Sequence, residues 1–412
     1  MEQRGVTGSQ QLKTFAALAY PNYRLWFVGQ MTSLFGTWMQ TTAQGYLVYE
    51  LTKSEAFLGY VGFASGVATW AFTLYGGAIA DRVPRRNLIV VTQTFSMLLA
   101  FVLSLLVFLH VVAPWHIIVL AFLLGVVNSF DAPARQSFVL EMVDRPVLTN
   151  AIALNSMMFN TATAIGPAVG GLTYALFGPG WCFAINGISF LAVIAALLAM
   201  RLPPFTPPPR KASTVGDIRE GLRAVRDDKR ILAIICLLAA VSLFGMSFAT
   251  LLPAWAVQIL HGDSRINGFL QSARGIGALG SALWIASFAH RRRKGRTITA
   301  ASFLLPVMLF LFSFTRVLPL SLLAIFAVGA ANIALNNLAN ALVQTLTPDA
   351  VRGRVMSIYM LGFFGFMPVG ALLAGAVATV VGVPTTIVIG ASGTLVCALT
   401  VAVLVPSVRR LD

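Results

Sequence analysis

Few residues in this 412-residue chain can do chemistry, and those that can are charges and amides set among apolar neighbours. Asp81, Arg82, Arg85 and Arg86 form one compact run, Gly76-Gly77-Ala78-Ile79-Ala80-Asp81-Arg82-Val83-Pro84-Arg85-Arg86, between two long apolar stretches. Asp81 then ends a helix, where the negative end of the dipole disfavours a carboxylate, so it calls for a positive partner. The arginines either pair with Glu141 or Asp144 or simply anchor the turn. Asp131 lies late in another apolar stretch, before Pro133 and Arg135. A titratable group there suits proton coupling, and an ion pair with Arg135 is the other reading. Arg274 is a basic residue deep in an apolar stretch. It serves either to attract an anionic group on a substrate or to pair with carbonyls or a carboxylate. Gln30, Ser33, Thr37, Gln40 and Gln44 recur at helical spacing, as do Ser156, Asn160 and Thr163, and again Asn332, Asn336 and Asn340. Amides facing lipid are costly, so these stripes, with Asn128, face either a watery cavity or a neighbouring helix.

Covalent chemistry finds no support. There is no Gly-x-x-x-x-Gly-Lys phosphate loop, no metal-spaced His/Cys set and no nucleophile elbow. Cys182, Cys236 and Cys397 lie apart in apolar segments and read as small core residues rather than disulfides or metal ligands. An enzyme, a cofactor and a metal are not expected.

The elements that must hold these residues are membrane helices. Hydrophobic residues make up 58% of the chain and charged residues only 10%. A soluble protein carries about a quarter charged residues. Twelve stretches approach the roughly 20 apolar residues that a bilayer crossing needs, so the expected fold is all-α. Glu50 and Glu55 read as ordinary charges in an outer loop. Of the 29 basic residues, 25 fall in the tails and in alternate loops. By the positive-inside rule both termini are cytoplasmic. That placement also accounts for the net charge of +15 without nucleic acid.

The chain repeats itself. At an offset of 209, Gly59 falls on Gly268, Gly66 on Gly275, Arg82 on Arg291 and Arg85 on Lys294, and Pro167 falls near Pro368 at an offset of about 200. Two six-helix halves are expected, residues 1–201 and 230–412, with a substrate site between them. Residues 202–229 join them: a run from Pro203 to Pro209 stops the sixth helix. Ser213 or Thr214 then caps a helix whose apolar face is Val215, Ile218, Leu222 and Val225, expected to lie on the cytoplasmic membrane surface.

The run around Asp81 resembles the loop between helices 2 and 3 of the major facilitator superfamily, with Pro84 where a glycine is usual. The resemblance implies that Gly77, Asp81, Arg82, Arg85 and Arg86 meet the helix that follows Arg352 and close a cytoplasmic gate. His290-Arg291-Arg292-Arg293-Lys294 is the matching loop and lacks the acid. Gly166-Pro167-Ala168-Val169-Gly170-Gly171 resembles a packing motif of the superfamily's exporters, although two usual upstream glycines are Ala153 and Ala162. Asn22-Tyr23-Arg24-Leu25-Trp26, Phe130-Asp131-Ala132-Pro133-Ala134-Arg135, Asn150-Ala151-Ile152 and Arg352-Gly353-Arg354-Val355 together look like the transmembrane secretion effector branch, which includes enterobactin exporters. The resemblance implies a bacterial plasma-membrane exporter of a siderophore or drug-like small molecule, driven by proton antiport; a monomer is expected, because the two halves already enclose a site. It also implies that the polar stripes and Arg274 line the central cavity. A lipid or lysophospholipid flippase of the same fold is the alternative.

Overall fold

The structure is a computed structural model that describes residues 15–202, 215–287, 294–349 and 351–411. Among the described residues it is helical throughout, with no strand. The run Pro203–Pro209, the cap at Ser213 or Thr214 and the loop His290–Arg293 lie outside the described residues.

Six helices come first: α1 (Pro21–Thr52), α2 (Glu55–Ala80), α3 (Arg85–Phe108), α4 (Pro114–Phe138), α5 (Leu148–Phe177) and α6 (Pro179–Ala199). A short helix, α7 (Val215–Asp227), follows, and then α8 (Lys229–Ala240), a π turn, a 3₁₀ turn and α9 (Leu252–Gln258) in one apolar run. The remainder is α10 (Ser264–Ser287), α11 (Lys294–Phe314), α12 (Leu318–Leu346), α13 (Arg352–Phe364), α14 (Met367–Val381) and α15 (Val383–Leu404). Proline at the first or second position starts α1, α4, α6, α12, α14 and α15, where its missing N–H costs nothing. Gly178 (φ 87°) and Gly382 (φ 81°) are the whole connection between α5 and α6 and between α14 and α15. Only glycine takes that conformation without strain.

Among the described residues nine runs are long and apolar enough to cross a membrane. Of the twelve expected stretches, α1, α5 and α10 are not among the nine, although they are 32, 30 and 24 residues long. Their polar stripes lower their hydropathy.

The bundle has two unlike ends. One carries the short turns, such as Lys53–Ser54, Gly178 and Gly382. The other carries the connections 81–84, 139–147, 200–228 and 347–351, among which are the longest. α1–α6 pack among themselves, chiefly α1 on α5 and α6, and α2 and α3 on α4; α10, α11, α12 and α15 form a second packed set. The two sets meet where α5 crosses α10 and α2 crosses α14. The hydrophobic core follows suit. Met39, Val48 and Leu58 share one cluster with Trp255, Leu251 and Ala378. Tyr23, Trp26, Phe138 and Leu197 form a separate cluster drawn from the first set alone.

The helix α7 is docked against α13. Glu220 pairs with Arg354 of α13 at 2.8 Å, and Gly221 packs against the same arginine. Val225 is buried, but Leu222 is 58% exposed, so the expected apolar face is rotated toward α13. The side chains of Val215 and Ile218 lie outside the described residues.

Candidate functional site

At the short-turn end the two helix sets touch backbone to backbone. A Cβ on Gly268 of α10 would lie 2.5 Å from the Pro167 carbonyl oxygen of α5 and 3.1 Å from Gly171 Cα. A Cβ on Gly59 of α2 would lie 2.8 Å from the Ala371 carbonyl oxygen of α14 and 3.2 Å from Gly375 Cα. Gly275 meets Thr163 in the same way, and Gly66 meets Pro368. Positions paired by the sequence repeat thus make equivalent contacts. Small residues are what permit such approach in helical membrane proteins.

The motif from Gly166 to Gly171 sits at this crossing and serves two neighbours. Gly166 packs on Trp38 and Gly170 on Met39, both of α1, whereas Gly171 packs on Ser264 and Gly268 of α10. Pro167 has no N–H to give the Thr163 carbonyl one turn back. Ala168 N–H donates to Ser272 Oγ at 2.9 Å, and Ser264 Oγ donates to the Gly171 carbonyl at 3.0 Å. Gln258 of α9 adds a further bridge, donating from Nε2 to Tyr49 Oη at 2.8 Å and to Glu55 Oε1 at 2.5 Å.

The long-loop end is looser. Asp81 is 67% exposed, with Arg85 4.0 Å away as its salt-bridge partner, so the expected closure onto the helix after Arg352 is not made here. Arg352 instead pairs with Asp349. Arg85 holds Glu141 at 2.5 Å, Arg86 donates to the Leu198 carbonyl at 3.0 Å, and Arg82 is exposed. A Cβ on Gly77 would meet nothing within 4 Å; it is Gly76 that packs, against the Ser129 carbonyl. Asp144 accepts from Tyr20 Oη, and that carboxylate holds the tyrosine hydroxyl above its ordinary range. Beside α8, the Arg230 side chain holds the Asp228 carboxyl below the usual carboxylate range. Leu74, Tyr75, Phe159, Leu283, Trp284 and Phe364, on four helices, are all more than half exposed.

The polar stripes divide. Gln30 and Gln40 are buried, and Gln40 accepts from Asn186 Nδ2 of α6 at 2.7 Å. That corrects the expectation of a cavity role for Gln40: Gly36 brings α6 close enough for the two amides to meet. Gln44 is 9% exposed. Thr37, Asn160 and Thr163 are half-buried, each hydrogen-bonded to a carbonyl one turn back, and Asn128 is exposed. On α12, Asn332 Oδ1 is buried without a partner among the described residues, Tyr359 Oη donates to the Asn336 carbonyl, and Asn340 accepts from Gln344.

Asp131 is buried and fully engaged. Thr92 Oγ1 and Gln93 Nε2 of α3 donate to it at 2.7 and 3.0 Å, and Arg135 Nε lies 2.6 Å away. All of these partners come from α3 and α4, so the carboxylate ties two neighbours together. Of the two readings open from sequence, the ion pair with Arg135 is the one seen here. Arg274 is half-buried, and among the described residues it has no ion pair or hydrogen bond. Asn267 and Gln271 stand on the same face of α10.

Two acids were misread from sequence. Glu55 is 7% exposed, not an ordinary loop charge, because Gln258 covers it from another helix. Glu50 accepts from Tyr174 Oη of α5. Neither has a local signal; the partners lie more than 120 residues away in the chain.

The membrane-length helices, in two sets that clasp one another at one end, make the chain a polytopic membrane protein, and its family and relatives are membrane transporters. Solved structures agree on the fold: the peptide transporter POT superposes with a TM-score of 0.75 at 13% identity, covering 95% of each chain. The chain belongs to the transmembrane secretion effector family of the major facilitator superfamily, matched over residues 12–412. Its relatives include the staphyloferrin A transporter of Staphylococcus aureus, 24% identical over 88% of this chain and 91% of the relative. The multidrug efflux pump Tap of Mycolicibacterium fortuitum is 27% identical over 93% and 95%. The enterobactin exporter EntS of Shigella flexneri is 25% identical over 86% and 85%.

Proposed function

We propose that this protein exports a small molecule across a bacterial plasma membrane by alternating access, driven by proton antiport. The nine apolar runs together with α1, α5 and α10 make twelve spans, in two six-helix halves, 1–201 and 230–412, joined by 202–229. Both termini are cytoplasmic and the unit is a monomer. The observation that carries the reading is the unequal packing of the two ends. Glycine contacts shut the short-turn end, while Asp81 and Arg352 at the long-loop end stand exposed. On this reading the chain is caught open to the cytoplasm, and Gly77, Asp81, Arg82, Arg85, Arg86 and Arg352 form the gate that closes in the opposite state. The relatives, named for a siderophore transporter, a siderophore exporter and a drug efflux pump, support export of a siderophore or drug-like compound.

Arg274 narrows the substrate. A cation within a span is expensive and is retained for a purpose. With no ion-pair partner among the described residues, it attracts an anionic group on the cargo, with Asn332, Asn336 and Asn340 on the neighbouring α12.

Uptake into inside-out vesicles tests the proposal, comparing a catecholate siderophore, a macrolide and a lysophospholipid with and without an imposed proton gradient. The expected result is gradient-dependent accumulation of the siderophore, lost in Arg274→Gln. Equal loss of the macrolide and the siderophore in that variant refutes the anion role. Gradient-independent movement of the lipid alone refutes the exporter reading in favour of a flippase.

A further inference from the structure

The linker helix α7 has one face that the bundle leaves uncovered. Two contacts fix where that face lies. Gly221, in the middle of α7, packs on α13: a Cβ there would lie 2.9 Å from Arg354 Cβ and 3.3 Å from Ile358 Cδ1. Arg354 is the third residue of the apolar run Arg352–Val381. At its C-terminus, Asp227 stands two residues before Lys229, which opens the apolar run Lys229–Gln258. The middle and the end of α7 thus both sit where spans enter the bilayer. Its 13 residues make a rod about 20 Å long. Held at those two points, it lies along the membrane surface at the depth of the headgroups.

The two sides of α7 differ. Gly221 and Val225 are buried against the protein, and Glu220 pairs with Arg354 at 2.8 Å. Helical spacing gathers Arg219, Leu222, Arg223 and Arg226 on the other side, and all four are exposed. Among the described residues, none of these three arginines has an ion pair or a hydrogen bond. Asp227 stands at the edge of the strip, beside Arg223. We infer that this strip is a docking surface for anionic phospholipid headgroups. Three guanidinium groups at headgroup depth match phosphate in charge and in fork geometry. Leu222, 58% exposed, reaches the acyl boundary while the arginine heads stay with the phosphates. A soluble anion would gain nothing from that leucine. Glu220 and Gly221 join α7 to Arg354, two residues after Arg352 of the proposed gate. Lipid held on one face of α7 therefore steadies the first turn of α13 on the other. The surface needs only the membrane-spanning bundle, and neither the direction nor the coupling of transport.

Hydrogen exchange of the full-length protein tests this in nanodiscs of phosphatidylcholine, with and without phosphatidylglycerol. A helix of 13 residues is marginal by itself, so its amides exchange through local opening. Phosphatidylglycerol should slow exchange over residues 215–227, by up to about fivefold for each arginine engaged. A smaller slowing is expected over residues 352–358. The triple variant Arg219→Gln/Arg223→Gln/Arg226→Gln should exchange alike in both lipids. Glu220→Gln should keep the lipid effect on α7 and lose most of it on α13. No slowing of α7 in the parent, or equal slowing in the triple variant, overturns the assignment. The same slowing from inorganic phosphate added to phosphatidylcholine discs overturns the lipid and makes the strip a soluble-anion site. An undiminished effect over 352–358 in Glu220→Gln overturns the link through the ion pair.

Discussion

Replacing Gly268 by alanine tests the clasp at the shut end. The added Cβ would lie 2.5 Å from the Pro167 carbonyl oxygen and 3.1 Å from Gly171 Cα. Both neighbours are backbone in a proline-bearing stretch of α5, so no side chain can swing aside. The helices must separate by several tenths of an ångström, and the Ser264 to Gly171 hydrogen bond at 3.0 Å stretches with them. Overpacking of this kind costs about 1–3 kcal/mol. The strain vanishes once the halves part, so it acts on the conformational equilibrium as a shift of about 5- to 150-fold toward the state with this end open. Gly280→Ala on the same helix is the control, since a Cβ there meets nothing within 4 Å. Its effect should be neutral or slightly stabilising, within about 1 kcal/mol. Maleimide labelling of a cysteine at Thr163, at half occupancy of the reaction, reports access from the short-turn side. Faster labelling in Gly268→Ala and parent-like labelling in Gly280→Ala are expected. Equal rates in all three proteins, with equal melting temperatures, would refute the view that backbone contact keeps this end shut.

Two further substitutions probe the frame. Asp131→Asn removes the charge from a carboxyl that engages Thr92, Gln93 and Arg135, and should lower stability in detergent by about 1–3 kcal/mol. A melting temperature equal to the parent's would show that the cluster is dispensable. Asp228 caps α8 by accepting from Arg230 N–H at 2.8 Å, and its depressed pKa means that its contribution is present above the unfolded value and lost as pH falls through the folded one. Asp228→Asn should therefore cost about 0.5–2 kcal/mol near neutrality, with the deficit shrinking below about pH 4. A deficit independent of pH would contradict the ion-pair origin.

Sequence carried the frame further than the site. The Gly59/Gly268 and Gly66/Gly275 matches mark the two crossings, α2 on α14 and α5 on α10, because close backbone approach demands glycine whatever the partner. The Gly166–Gly171 motif was legible for the same reason. Gln40 was misplaced because helical spacing tells which residues share a face but not which helix that face meets. Glu55 was invisible as a buried group, since its environment is made by Gln258 some 200 positions on.

The proline in α5 has a consequence for water. Because residue 167 has no N–H, the Thr163 carbonyl lacks its helical partner and rests against Gly275, while Ala168 N–H is spent on Ser272 across the crossing. Separating α5 from α10 strips these groups of protein partners in surroundings where lipid offers none. Only water can replace them. The crossing is thus a dry seal whose opening is a wetting event, and its rate should follow the activity of water: slowed by osmolytes too large to enter, and quickened by hydrostatic pressure.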